Sequence, residues 1–310
     1  MVALADPCIA WLLTGDPAVR WQTHRDLLDA PDDVVDAERA RVATEGWGAR
    51  LLAHQSDDGR WGRGLYGPKW IGTTYTLLLL HRLGLPSEHP AGQRGTAVLW
   101  AGAKRIGSGL TFEVGATDSG EECITGMLIL LASSFGHREA GVDEAVGWLL
   151  ERQGADGGWN CERARSGAVH GSFHTSINVL DGLQAYSEAG GRVRVVEATS
   201  RCREFFLDHR LYRSHRTGLP VKPAMARFPF PPQWHFDVLR GLEHFRAAGA
   251  ERDPRLVDAI GEVRKRRRAD GTWPRYRGYS GRVWFELEEG SSSRLATMRA
   301  MRVLRWWEGS

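Results

Sequence analysis

The chain has 310 residues, 42% hydrophobic and 25% charged, with 41 Lys and Arg against 38 Asp and Glu for a net charge of +3. That near-balance gives no electrostatic reason to expect nucleic acid, and the composition argues against extended disorder. Apolar runs such as Leu77 to Leu80 fall far short of the roughly 20 residues that cross a bilayer, so no transmembrane segment is expected. The opening Met1-Val2-Ala3-Leu4-Ala5-Asp6 has no basic start, and the four cysteines form no CxxC. The expectation is therefore a cytoplasmic protein with reduced thiols.

In chain order, two short helices are predicted near 7–14 and 17–30. Five amphipathic helices follow near 36–54, 90–105, 138–153, 193–210 and 252–268, with their apolar residues on one face. Between them fall five more hydrophobic helices, approximately Thr73–Leu83, Glu121–Phe135, Phe173–Ala189, Trp234–Ala247 and Ser293–Trp307. The Pro-rich stretch from Pro220 to Pro232 reads as a long loop. The basic run Arg264-Lys265-Arg266-Arg267-Arg268 sits where a helix ends, where cations favour the helix dipole.

Thirteen tryptophans and 37 glycines point to a repeated structural use. Three segments read alike: Gln55-Ser56-Asp57-Asp58-Gly59-Arg60-Trp61, Gln153-Gly154-Ala155-Asp156-Gly157-Gly158-Trp159, and Arg267-Arg268-Ala269-Asp270-Gly271-Thr272-Trp273. Asp-Gly is a turn signal, because glycine takes positive φ freely and aspartate bonds nearby backbone. The Trp residues are expected to pack between helix end and turn, with Gln capping backbone groups. Amphipathic helices alternating with mostly buried ones, about 50 residues per pair, suit an all-α α/α toroid. Two concentric rings of helices would form one domain over 1–310, with the helices of 1–33 packed on it. A linear solenoid is the alternative.

Gln-x-x-Asp-Gly-x-Trp is similar to the QW repeat of squalene and oxidosqualene cyclases. The hairpin order is similar to that of protein prenyltransferase β subunits, so the chain resembles a single-toroid member of the terpenoid cyclase/protein prenyltransferase superfamily. The Asp-x-Asp-Asp of class II triterpene cyclases is absent, as is the Asp-rich helix of class I synthases. The prenyltransferase resemblance implies a zinc ion held by an acid, a Cys two residues on and a His opening the next inner helix. The matching residues are Glu121, Cys123 and His174, with Cys161 and His170 nearby in sequence. Thiolate, imidazole and carboxylate suit zinc and leave a fourth position open. The alternative is a buried apolar Cys and hydrogen-bonded loop histidines. The same resemblance implies a partner protein subunit, with a monomer or homodimer equally open.

In a closed ring, the inner-helix starts converge. They carry Trp70 and Tyr75; Asp118 and Glu122; Trp234, His235 and Asp237; and Trp284 and Glu286 ahead of Arg294. Asp118, Glu122, His235, Asp237 and Glu286 are the candidate acid/base groups. Trp70, Tyr75, Trp234 and Trp284 are candidate walls for an apolar substrate or a developing cation. Arg277, Arg282 and Arg294, with the helix N-termini, are candidate contacts to an anionic group. Cys8 and Cys202 read as structural. No phosphate-binding Gly motif, Walker loop or Gly-x-Ser-x-Gly elbow occurs.

The expectation is an enzyme acting on a small, partly apolar, anionic substrate in a central cavity, zinc-assisted and prenyltransferase-like or cyclase-like. The alternatives are metal-independent acid/base elimination or cyclisation, and a non-catalytic toroid that binds a protein or lipid partner.

Overall fold

In the computed structural model, which describes residues 6–112 and 119–309, the chain is mostly helical. It opens with α1 (Pro7–Leu13) and α2 (Pro17–Leu27). Each begins with proline behind a capping aspartate: Asp6 accepts from Cys8 N and Asp16 from Ala18 N. Proline has no amide hydrogen to lose at that position, and the aspartate satisfies an orphan donor. Asp16 also accepts from Trp47 N at 2.7 Å, fixing α2 against the segment that follows.

That segment departs from the sequence expectation. The helix expected over 36–54 is two, α3 (Asp32–Ala40) and α4 (Gly46–Leu52), separated by a short 3-10 turn. Gly46 stands at φ +61°, and a Cβ on Gly48 would lie 2.0 Å from the Val42 carbonyl oxygen. The chain therefore folds back on itself where continuous periodicity suggested one rod.

Helices α5 (Thr73–Leu83), α6 (Pro90–Gly102), α7 (Glu122–Ser134), α8 (Ala140–Glu151), α9 (Arg163–Ser166), α10 (Phe173–Glu188) and α11 (Val196–Asp208) follow. Then come α12 (Val238–Ala247), α13 (Val257–Lys265) and α14 (Arg294–Glu308). Helix α12 starts four residues later than expected because Asp237 caps it, accepting from Arg240 N. Two small antiparallel ribbons join helices: β1 (Lys104–Ile106) with β2 (Gly109–Thr111), and β3 (Trp273–Pro274) with β4 (Ser292–Ser293).

The three Asp-Gly-x-Trp turns are built with the same bonds. Gly59, Gly157 and Gly271 have φ of 83°, 83° and 84°. The aspartate accepts from the backbone two residues on, at Arg60, Gly158 and Thr272. Each indole N–H donates to a carbonyl ten residues back, at the end of the preceding helix: Trp61 to Leu51, Trp159 to Leu149, Trp273 to Val263. Each Trp backbone N–H donates to a hydroxyl in the first turn of the next helix, on Thr73, Ser176 and Thr297.

Gln55 and Gln153 donate to the turn carbonyls of Gly59 and Gly157 and to Ala91 and Ala198 on neighbouring helices. Arg267 replaces them in the third copy, donating to Gly271 O. The α6–α7 connection uses the same hydroxyl device without a tryptophan: Leu110 N donates to Thr125, which donates back to Leu110 O.

These clamps set the helix starts. Helix α7 crosses α10 where both are smallest: a Cβ on Gly182 would lie 2.3 Å from Gly126 O. Helix α5 packs on α7, α12 on α14, and α14 on α1 and α2. Helices α10 and α12 are joined by Asn178, which donates to Trp234 O, and by Arg240, which donates to Asp181. The segment before α14 returns to α5, where Trp284 donates to Thr76 and Trp70 to Tyr279 O.

Trp159→Phe removes the indole donor and leaves the Leu149 carbonyl with only its 3.2 Å bond from Arg152 N, and is expected to lower unfolding free energy by about 1 kcal/mol in urea titration. An unchanged midpoint would show that the indole bond does not hold the hairpin.

Candidate active site

The starts of α5, α12 and α14 meet in an aromatic stack. His235 lies between Trp234 and Tyr279, with ring centroids at 3.8 and 3.5 Å and planes within 19° and 4°. Trp70 stands edge-on to His235 and to Tyr75. Burial pushes His235 down to about 3 and His174 down to about 4, so both rings are neutral at neutral pH. The Lys69 ammonium lies 5.6 to 5.8 Å from the rings of Tyr66, Trp70 and Trp234. These rings thus present their negative faces to a cation.

Beside the stack lies a cavity of about 560 Å³, whose wall includes Trp70, Gln233, Tyr279, Phe285 and Glu288. Glu288 accepts from the Ser293 hydroxyl at 2.5 Å and from Leu295 N at 3.1 Å. Burial raises its carboxyl, against the opposing effect of those bonds. Asp237 lies among the same starts and is fully buried. One oxygen caps α12 and the other, Oδ2, has no hydrogen-bond partner among the described residues. Burial, opposed by Arg299, pushes its carboxyl up to about 6. The result is two acids that hold protons more readily than an exposed carboxylate, next to an aromatic-walled space.

The expected acids fare differently. Glu122 is buried and ion-paired with Arg152 at 2.8 Å, which makes it a tie between α7 and α8. Glu286 is exposed and lies 3.5 Å from Arg275; Glu288, two residues on, is the half-buried glutamate in the wall. Asp118 lies outside the described residues. Trp234 and Tyr75 join the aromatic cluster as expected, whereas Trp284 stacks on His54 and bonds to α5. Arg277 is exposed on the cavity lip. Arg294 instead bonds to Trp11 O and Thr14 on α1, and Arg282 pairs its backbone with that of Lys69 and Trp70. Of these three arginines, Arg277 is the one that lines the cavity.

The expected metal ligands divide. Glu121, Cys123 and Cys161 bring one oxygen and two sulfurs within 4.8 Å of one another. Cys123 N donates to Cys161 Sγ at 3.2 Å. The Cys161 sulfur beside it, burial and the Glu121 and Glu122 carboxylates push the Cys123 thiol up. Oxygen plus two sulfurs is a donor set that fits zinc with a position left over.

His174 does not belong to that group. Its Nδ1 accepts from Phe236 N at 2.9 Å. In a neutral ring that puts the proton on Nε2, leaving no free lone pair for a metal. His170 is exposed, 3.9 Å from Asp156.

No protein-family model matches the sequence, and no curated protein does. Among solved structures, the chain is distantly similar to a protein from Actinoplanes, at 15% identity and TM-score 0.49, over 95% of this chain and 90% of that one. It is also similar to the type II terpene cyclase MstE from Scytonema in its apo form, at 13% identity and TM-score 0.35, over 88% and 98%. The complex of an MstE variant with geranylgeranyl dihydroxybenzoate gives 13% and 0.36, over 88% and 96%. Likeness at this level carries no inference about substrate or reaction.

The Asp237 geometry has a pH signature. The folded state holds its proton up to about 6 while an exposed Asp releases it near 3.8, so this group removes stability as pH rises through that window. Asn caps a helix as well as Asp does. Asp237→Asn is expected to gain up to about 3 kcal/mol relative to wild type between pH 3.5 and pH 7. Equal pH–stability curves for the two proteins would show that Asp237 titrates normally.

Proposed function

We propose that the protein is an enzyme that carries out acid/base chemistry, elimination or cyclisation, on a small, partly apolar molecule held at the starts of the inner helices α5, α7, α10, α12 and α14. In this reading those helices close into a ring. The support is the circuit of contacts from α5 through α7, α10, α12 and α14 and back to α5. The observation that carries the chemistry is the pair of raised carboxyls, Asp237 and Glu288, beside an aromatic-walled cavity.

A carboxyl raised by burial is protonated more often than an exposed one, and can donate to a substrate atom and recover the proton in the next step. In this reading Glu288, in the cavity wall, touches substrate, while Asp237 is a second proton holder at the start of α12. The stacked rings around His235 and Trp70 suit an intermediate that develops positive charge, as the position of Lys69 among them illustrates.

A second reading keeps a metal, favoured by the Glu121, Cys123 and Cys161 cluster. A zinc ion there would supply Lewis acidity or an activated water. Tyr66 and Tyr75 feel the charges of Glu121 and Cys123 and would border the same site.

A single experiment separates the two readings. The full chain is incubated with a panel of ten- to twenty-carbon isoprenoid alcohols, carboxylates and diphosphates, and consumption is followed by mass spectrometry with and without a chelator. The acid/base reading expects at least one compound to be converted, by roughly 100-fold less in Asp237→Asn and Glu288→Gln, with no chelator effect. Loss of conversion on chelation or in Cys161→Ser, with both carboxyl variants active, would support the metal. Conversion of no compound would contradict both.

A further inference from the structure

A second cavity, of about 530 Å³, has residues of all five inner helices in its wall. Helix α5 supplies Arg82, α7 Leu130, α10 Asp181, α12 Arg240 and His244, and α14 Arg299. Phe230 borders both this cavity and the rim cavity, so the loop before α12 separates them.

The charges here do not balance. Arg240 pairs with Asp181 at 2.8 Å. Arg299 and Arg302 share Glu243. Arg25, Arg246 and Arg302 converge on Asp26. Arg39 donates to the Gly84 carbonyl. Arg82 has no carboxylate within 4.0 Å among the described residues, and its Nη1 makes no hydrogen bond. Glu188 is the third acid in the wall, beside Asp181 and Glu243; Asp26 adds a carboxylate from outside it, and the Asp237 carboxyl also feels Arg299. Seven arginines against these five carboxyls leave an excess of two positive charges among the described residues.

Helix C-termini carry a partial negative charge that favours cations. That accounts for an arginine at the water-facing end of a helix. It does not account for guanidinium groups enclosed with polar atoms unused. Among the described residues, Arg299 is 3% exposed with Nη1 unpartnered, and His244 is 5% exposed with Nε2 unpartnered. A buried donor without an acceptor costs about 1–3 kcal/mol, more when charged. Burial, reinforced by Arg240 and Arg299, pushes Arg82 down to about 9. The cluster is therefore electrostatically incomplete as the chain alone presents it.

We propose that this cavity is a binding site for a phosphoryl oxyanion, a phosphate or diphosphate carried by a small organic molecule. Guanidinium forks match phosphate oxygens two at a time, and they surround the space from several helices. A diphosphate brings two or three negative charges, which meets the excess; a single carboxylate leaves part of it. Trp21, Leu130, Phe230 and Met298 in the same wall give an apolar body a place to lie. The volume falls within the range of small-molecule sites. This site stands on its own observations and does not depend on acid/base chemistry at the rim.

The test is calorimetric titration of the full chain, in chloride of matched ionic strength, with inorganic pyrophosphate, phenyl phosphate and acetate as the probes. Pyrophosphate and phenyl phosphate are expected to bind saturably and acetate much more weakly. Arg82→Gln is expected to weaken pyrophosphate by about tenfold or more. Without ligand it should unfold at the same temperature as wild type or higher, because a buried unpaired cation is gone. Arg82→Lys keeps the charge, loses the fork and is expected to fall between. Pyrophosphate that does not bind, or binds equally to wild type and both variants, would overturn the proposal. So would acetate binding as tightly as pyrophosphate.

Discussion

The fold depends on one bond made three times: a tryptophan indole N–H donating to the last carbonyls of the helix before its turn. Helix ends leave carbonyls unsatisfied, and burying them is costly. The indole adds a second donor to one carbonyl of that last turn, beside a backbone N–H three residues on, while its ring fills the joint between helices. The same residue's backbone N–H then reaches a hydroxyl in the next helix. End and start of successive helices are thus fixed by one side chain. A turn that rigid sets where each inner helix begins, and so which side chains can meet.

What meets there is unlike what lines the second cavity. The starts gather carboxyls and aromatic rings, in a setting that raises the Asp237 carboxyl to about 6 and keeps His235 neutral. The second cavity gathers arginines, held by Asp26, Asp181 and Glu243. One burial effect acts in both places: low dielectric surroundings disfavour whichever charge lacks a partner. At the rim it yields carboxyls that hold their protons to a higher pH than usual. In the second cavity it yields guanidinium groups in need of an anion. Phe230 stands between the two, with the Arg299 guanidinium 5.6 Å from its ring.

Much of the framework was legible in the sequence, because periodicity and turn chemistry are local. The spans of α5, α7, α10 and α14 fall within about two residues of those expected. Asp-Gly ahead of each tryptophan announced the positive-φ turn. The break between α3 and α4 was not legible, since it depends on Gly48 packing against Val42 O. Of the site, Asp237, His235, Trp70 and Trp234 could be found by their place at helix starts.

Glu288 could not be separated from Glu286 by spacing, because the loop that buries one and exposes the other has no period. Cys161 displaced His174 from the metal cluster through a backbone bond from Phe236, 62 residues away. The buried arginines did leave a trace: Arg240 in Val238-Leu239-Arg240-Gly241-Leu242 and Arg299 in Met298-Arg299-Ala300-Met301 interrupt apolar stretches. A charge in such a setting is almost never fully buried without a partner.

The account stands or falls on whether a buried acid at the inner-helix starts keeps its proton. Carbon-13 NMR of aspartate-labelled protein, with the Asp237 carboxyl resonance assigned by its loss in Asp237→Asn, measures this directly. A titration midpoint near 6 is the predicted result. A midpoint near the ordinary 3.8 would mean that water or a base reaches Oδ2, and would contradict the proposed site.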